Sequence, residues 1–213
     1  MTALISQQTR VRDEICLVGK SLFDRGLTAG SSGNLSVRLD DETLIVTPTN
    51  ACLGELLPEQ LTHLAADGRF LSGSAPTKEA GLHQCVYCQR GSAKAIVHLH
   101  STHSVAVSML PELPPEDLLP PLTAYYIMRV GTLPLVPYFP PGDPTLFEAV
   151  GETAKISHAM LLSNHGPVVA GKSLREAQYA TEELEETSKL YLLVGHRSPR
   201  QLTPEQVAQL RAK

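Results

Sequence analysis

Between Leu35 and Leu71 the chain turns back on itself twice, and this limits its architecture more than any other feature. Leu35, Val37 and Leu39 alternate with polar residues as a half-buried strand does. Asp40-Asp41 supplies a turn, and Thr43 to Thr47 forms an apolar partner run. Leu61 to Ala65 and Arg69 to Leu71, joined around Asp67-Gly68, repeat the arrangement. Two early hairpins predict an antiparallel sheet, because the strands lack the regular helical crossovers that a parallel sheet requires. Helical periodicity surrounds them. Val11, Ile15, Val18 and Leu22 share one face, with Ser6 as N-cap and Gly26 as stop signal. Glu79 to Arg90 predicts a helix closed by Gly91, Ser173 to His196 a long helix, and Pro204 the start of a last one after Thr203. Ala95 to His100 predicts a buried strand. A short strand is expected near Tyr126 to Val130, inside the proline-rich stretch from Leu118 to Pro144. Leu161-Leu162 and Val168 to Ala170 bracket a turn at Asn164-His165-Gly166.

The 213 residues, 42% of them hydrophobic, suffice for one sizeable core, so a single domain over 1–213 is expected. Tryptophan is absent, which leaves the core to Leu, Val, Ile and Ala. A net charge of -4 without a long basic stretch argues against nucleic acid as a partner. Met1 to Glu14 lacks the apolar centre of a signal peptide, and no run approaches the roughly 20 apolar residues that span a bilayer. A cytoplasmic protein away from membranes is expected. There Cys16, Cys52, Cys85 and Cys88 would stay reduced, and the lone Cys85-x-x-Cys88 pair is a weak metal or redox signal.

Chemistry concentrates around His98-Leu99-His100. Residues two apart on a strand point to the same face, so both imidazoles can meet one ion from the end of a buried strand. His165 in its turn is the candidate third ligand, and three histidines with an open position describe a catalytic zinc site. Each histidine taken alone is better explained by a hydrogen-bonded place in the core or on the surface. His103, three residues beyond His100, is assigned a supporting or structural role. Glu79 and His83 stand at helical i, i+4 spacing and form an alternative metal pair; otherwise Glu79 alone is functional, as ligand and acid or base. Small or hydroxyl residues at Gly33-Asn34, Thr47-Pro48-Thr49 and Thr77-Lys78 offer donors for an anion, with Lys78 adding charge. No P-loop or dinucleotide fingerprint accompanies them.

Taken in order, Gly33-Asn34-Leu35-Ser36-Val37-Arg38, Thr47-Pro48-Thr49, Lys78-Glu79, His98-Leu99-His100 and Asn164-His165-Gly166 resemble the class II aldolase/adducin superfamily over most of the chain. The resemblance implies an α/β/α sandwich around a mainly antiparallel sheet, a homotetramer with active sites at subunit boundaries, and one zinc ion per subunit. The metal would be held by His98, His100, His165 and Glu79, with Glu79 also serving as acid/base. The stretches His98 to Ser108 and Tyr125 to Gly131 look most like the 3-oxo-tetronate 4-phosphate decarboxylases of that superfamily. That likeness implies loss of CO2 from a phosphorylated sugar acid through a metal-bound enediolate, yielding dihydroxyacetone phosphate. Phosphate would be bound among Asn34, Thr47, Thr49, Thr77 and Lys78, and the superfamily's tyrosine proton donor maps onto Tyr125 or Tyr126. Thr77-Lys78 departs from the serine pair of the fuculose phosphate aldolases, so Lys78 would hold a phosphate or a carboxylate. An aldolase or 4-epimerase acting on a sugar phosphate such as fuculose 1-phosphate is the alternative. A noncatalytic adducin-like domain would have no use for the metal residues.

Overall fold

The computed structural model describes residues 2–212; Met1 and Lys213, the ends of the expected 1–213 domain, lie outside them. In chain order the elements are α1 (Thr2–Asp24), β1 (Asn34–Arg38), β2 (Leu44–Val46), β3 (Thr62–Leu64), β4 (Phe70–Ser72), α2 (Ala80–Gln89) and β5 (Ala95–His98). Then follow α3 (Thr102–Ser108), α4 (Ala124–Arg129), β6 (Leu135–Val136), α5 (Pro144–Ala154), β7 (Ala159–Leu162), β8 (Gly166–Gly171), α6 (Leu174–Val194) and α7 (Pro204–Arg211). Among the described residues eight strands form one sheet in the order β4-β3-β2-β1-β5-β8-β7-β6. Every pairing is antiparallel except β6 with β7. The two hairpins expected from the sequence are β1-β2 and β3-β4.

Strand alternation divides the apolar residues between two helical layers. Ile96 on β5, Val168 and Ala170 on β8, and Met160 and Leu162 on β7 pack against Leu82 and Val86 of α2 and Leu146 and Val150 of α5. On the other face Leu35 and Val37 of β1 with Ala95 and Val97 of β5 meet Ile15, Val18 and Leu22 of α1. Val169, Ala159 and Leu161 continue that face against Ile127 of α4 and Leu184 of α6. Both faces of the central strands are therefore dry, and each large aliphatic side chain buried there contributes about 1.5–3 kcal/mol. The result is an α/β architecture with helices on both sides of a mainly antiparallel sheet. None of the described helices is long and apolar enough to cross a membrane.

Two sequence expectations change, and one helix stands where none is expected. Ser6 lies inside α1, which begins at Thr2. The strand expected near Tyr126 to Val130 is helix α4: Thr123 caps it by accepting the Tyr126 N–H at 3.1 Å, and Tyr126, Ile127 and Val130 face the core. Aromatic and β-branched residues suggested a strand, but a cap followed by apolar residues at i, i+1 and i+4 suits one helical face. Helix α5 went unassigned although Asp143 accepts from the Thr145 N–H and Pro144 occupies the first turn, the ordinary signals of a helix start. The ends of α6 and α7 follow expectation, with Ser173 capping the former and a Thr203–Gln206 capping box opening the latter.

Tyr126 is wholly enclosed, and its hydroxyl has no hydrogen-bond partner among the described residues. An enclosed hydroxyl without a partner opposes folding by about 1–3 kcal/mol. Tyr126→Phe is accordingly expected to leave the melting temperature unchanged or raise it by a few degrees; a fall in thermal unfolding scans would contradict this packing.

Candidate metal centre

The centre is assembled where β1, β5 and the β7-β8 turn come level. His98, the last residue of β5, stands opposite Asn34 of β1 on one side and Val168 of β8 on the other. His98 therefore points toward the α2 layer, as Ile96 does two residues earlier. His100 follows just beyond the strand. His165 arrives from the turn between β7 and β8, where Asn164 adopts φ 57 and its N–H is held by the Ser108 hydroxyl at 3.0 Å. Gly166 presses this turn onto the neighbouring strand. At φ +151 a Cβ there would lie 2.1 Å from the Leu99 carbonyl oxygen and 3.1 Å from the His100 Cα. Only glycine lets His165 come so near His100.

The ring centroids of His98, His100 and His165 lie 4.6 to 5.1 Å apart. Glu79, at the N-cap of α2, makes no capping bond; its carboxylate instead lies 3.3 Å from His98 Nε2 and 3.4 Å from His165 Nε2. One donor atom from each of Glu79, His98, His100 and His165 falls within 4.8 Å of all the others, the span of a single ion's ligands. His98 Nδ1–H donates to the Pro167 carbonyl at 2.8 Å, which leaves the Nε2 lone pair facing the cluster. That atom and Glu79 Oε1 are buried without a hydrogen-bond partner among the described residues. Three imidazoles and a carboxylate, two of whose inward-facing atoms have no other partner, are the donor set a divalent metal needs, so the residues present fit one.

Electrostatics separates the four. Burial would raise the Glu79 pKa, but charge on His98, bonds from His98 and Asn34, and His165 together hold it well below the usual carboxylate range. Burial would lower His98, yet the Glu79 carboxylate and the Pro167 carbonyl raise it instead. Burial, then repulsion from His98, pushes His100 down to about 3 and His165 to about 4. Without a metal, Glu79 and His98 thus stabilise each other's charged forms.

His83 does not join as a ligand, which removes the alternative Glu79–His83 pair. Both of its ring nitrogens are taken: Nε2 lies 2.5 Å from Asn34 Oδ1 and Nδ1 lies 2.6 Å from Ser36 Oγ. His103 also stays apart, bonding Glu185 at 2.8 Å, while that carboxylate accepts the His103 and Ser104 N–H groups at the start of α3. Cys85 and Cys88 are free thiols on α2.

Beside the histidines opens a cavity of about 160 Å³. It is lined by Asn34, Thr49, Thr77, Lys78, Glu79, His100 and His165. Thr47 is not among them, because its buried hydroxyl accepts the Leu35 N–H at 3.1 Å and ties β1 to the end of β2. Asn34 reaches the cavity with its amide largely committed, Nδ2 donating to Glu79 Oε2 at 2.7 Å. Ser31, Ser32 and Asn50 also line it and were missed. Asn50 carried a usable signal, since asparagine tolerates the left-handed backbone (φ 55) that exposes N–H groups to an anion. Tyr125 and Tyr126 lie elsewhere. Tyr126, one of the two tyrosines expected as proton donor, is enclosed in the core of its own chain and does not line the cavity. Tyr125 is 60% exposed, on a groove with Arg129 and Tyr179.

The chain as a whole, and not the site alone, is similar to known proteins. It is 48% identical over 98% of its length, and 95% of the relative's, to the 3-oxo-tetronate 4-phosphate decarboxylase of Pectobacterium atrosepticum. It is 34% identical over 86% of its length, and 97% of the relative's, to the L-fuculose phosphate aldolase of Methanococcus maripaludis. The crystal structure of YgbL from Escherichia coli superposes with a TM-score of 0.94 at 46% identity, covering 96% of this chain and 99% of that one. The description "Class II Aldolase and Adducin N-terminal domain" matches residues 13–192, and the chain belongs to the class II aldolase/adducin family.

Proposed function

We propose that this protein is a carbon–carbon lyase that converts 3-oxo-tetronate 4-phosphate to dihydroxyacetone phosphate and CO2, as one class II aldolase-like domain over residues 1–213. The observation that carries the reading is the convergence of Glu79, His98, His100 and His165 beside a small cavity rimmed by Lys78 and hydroxyl groups. Five relatives bearing the decarboxylase name, at 44–48% identity, support the choice of substrate. A divalent ion held by those four residues, read as zinc from its borderline donor set, would supply the positive charge that stabilises an enediolate as CO2 leaves.

The chain's own groups do the rest. Lys78, Thr49, Thr77 and the remaining N–H of Asn34 bind the phosphate, with Lys78 alternatively holding the carboxylate. The C1–C2 bond breaks with its electron pair left on C2, and CO2 departs. Glu79 is the carboxylate lining the cavity; it takes a proton from water, passes it to C2, which thereby becomes the hydroxymethyl carbon of dihydroxyacetone phosphate, and returns to the carboxylate form. Tyr125, exposed on its own subunit, is the tyrosine offered to a neighbouring subunit's site, in a homotetramer located in the cytoplasm. Aldol cleavage of a sugar phosphate would use the same residues and expel an aldehyde instead.

Supplying 3-oxo-tetronate 4-phosphate and following both products should give CO2 and dihydroxyacetone phosphate in equal amounts; an aldehyde without CO2 would move the protein to the aldolases. Glu79→Gln is expected to lose at least about 100-fold in kcat, the usual scale of general acid–base catalysis, while keeping most of its metal. Near-normal turnover would remove Glu79 from the proton transfer. A His98→Ala, His100→Ala double variant should contain no metal by elemental analysis. In the parent, metal uptake should weaken as the pH is lowered, because a proton on His98 competes for Nε2. Uptake independent of pH would argue against imidazole ligation.

A further inference from the structure

Behind Glu79 runs a row of buried polar side chains that the proposed chemistry does not itself use. Helix α2 presents Glu79, His83 and Tyr87 at i, i+4 and i+8, while β1 presents Asn34, Ser36 and Arg38 at i, i+2 and i+4. Four helical residues advance about 6 Å and two strand residues about 6.7 Å, so the two rows interleave. Asn34 Nδ2 donates to Glu79 at 2.7 Å; Asn34 Oδ1 and His83 Nε2 are 2.5 Å apart; His83 Nδ1 and Ser36 Oγ 2.6 Å; Ser36 Oγ and the Tyr87 hydroxyl 2.8 Å. The Arg38 guanidinium stacks 5.2 Å from the Tyr87 ring centroid and closes the row. Asn34, Ser36, His83 and Tyr87 are all at most 4% exposed.

We propose that His83, Ser36 and Tyr87 are positioning residues which, through Asn34, hold the Glu79 carboxylate in register with the three metal-site histidines. The direction of every bond follows from the charge at one end. A carboxylate only accepts, so Asn34 must turn its NH2 group toward Glu79 and its oxygen toward His83. His83 Nε2 must then carry the proton. The ring is fully buried and both of its hydrogen-bond partners are neutral, so its Nδ1 keeps a lone pair and accepts from the Ser36 hydroxyl, while the Tyr87 hydroxyl shares its proton between Ser36 Oγ and, at 3.1 Å, the Ser36 carbonyl. Reversing the link between Asn34 and His83 would put the Asn34 oxygen against the Glu79 carboxylate. A set of polar groups that merely satisfied one another in the core would have no such fixed polarity.

The importance of the chain rests on Glu79 acting as proposed above, but its polarity is measurable without substrate. In protein labelled with 15N-histidine, with and without added zinc, the ring nitrogens of His83 should report a neutral imidazole protonated at Nε2. An Nδ1-protonated or doubly protonated ring would overturn the proposal. The kinetic arm compares His83→Gln, which can still donate to Asn34, with His83→Leu, which cannot. Partners behind metal ligands typically matter 10- to 100-fold. The leucine variant should lose about that much in kcat with KM within about twofold, and should release zinc to a chelator about tenfold more readily. The glutamine variant should stay within about threefold of the parent in both measurements. Equal losses in the two variants, or none in the leucine variant, would reduce the row to core packing. The ring measurement needs no variant, so it can overturn the proposal even if His83→Leu does not fold. It also does so if the protein releases no CO2 from the proposed substrate.

Discussion

The antiparallel register of β1, β5 and β8 is the constraint on which the site depends. It sets Asn34 opposite His98 and His98 opposite Val168, so the strand that carries the first ligand is clamped from both sides. The side-chain period of a strand is two, and a slip of one residue in β1 would carry Asn34 and Ser36 to the α1 face while sending Leu35 and Val37 against α2. The apolar stripe that packs on α1 thus also fixes which side chains meet Glu79. Hydrophobic burial on one face of β1 determines polar chemistry on the other.

That arrangement gathers buried groups that water would otherwise solvate. Glu79 is 7% exposed and His98 is fully buried, and a carboxylate in such a place is tolerated only when paired and hydrogen-bonded. Asn34 supplies the hydrogen bond, and the His98 ring lies 3.3 Å from the carboxylate. A divalent ion would bring two positive charges to the same place. The donor atoms are already within one ion's reach, because the Pro167 carbonyl orients His98 and Gly166 admits His165. Preorganisation of this kind removes the reorganisation that a flexible site would need at each turnover.

How much of this was legible before the structure depended on whether a feature is local. His98, His100 and His165 could be paired with one ion because strand periodicity and a tight turn are written in neighbouring residues. The hairpins and the caps of α6 and α7 were equally local. Asn34 was read as part of an anion pocket, and the sequence around it carries no sign that its amide spans Glu79 and His83, 45 and 49 residues away. Thr47 is similar, since its hydroxyl is taken by the Leu35 backbone 12 residues earlier. Tyr125 and Tyr126 differ only by which face of α4 they occupy, and that stayed hidden while the segment was taken for a strand. The aromatic residues suggested extended chain, and the Thr123 cap that decides for helix was overlooked among prolines.

A last contrast separates the two halves of the site. The metal-site residues sit on strand ends, a helix cap and a glycine-tightened turn, with Asn34 holding Glu79 and the Pro167 carbonyl holding His98. The anion side is built from loop residues, and Lys78 and Asn50 are exposed to solvent. The difference follows from the charges each half must handle. Ion ligands must be stripped of water and fixed, or competing protons and water would take the lone pairs. A doubly charged phosphate is costly to dehydrate, so its donors work best at the rim, where the ammonium of Lys78 attracts it while water still solvates the far oxygens. A substrate anchored at the rim extends inward, and its reacting carbons meet Glu79 in the drier part of the cavity, where charge developing on them is felt most strongly.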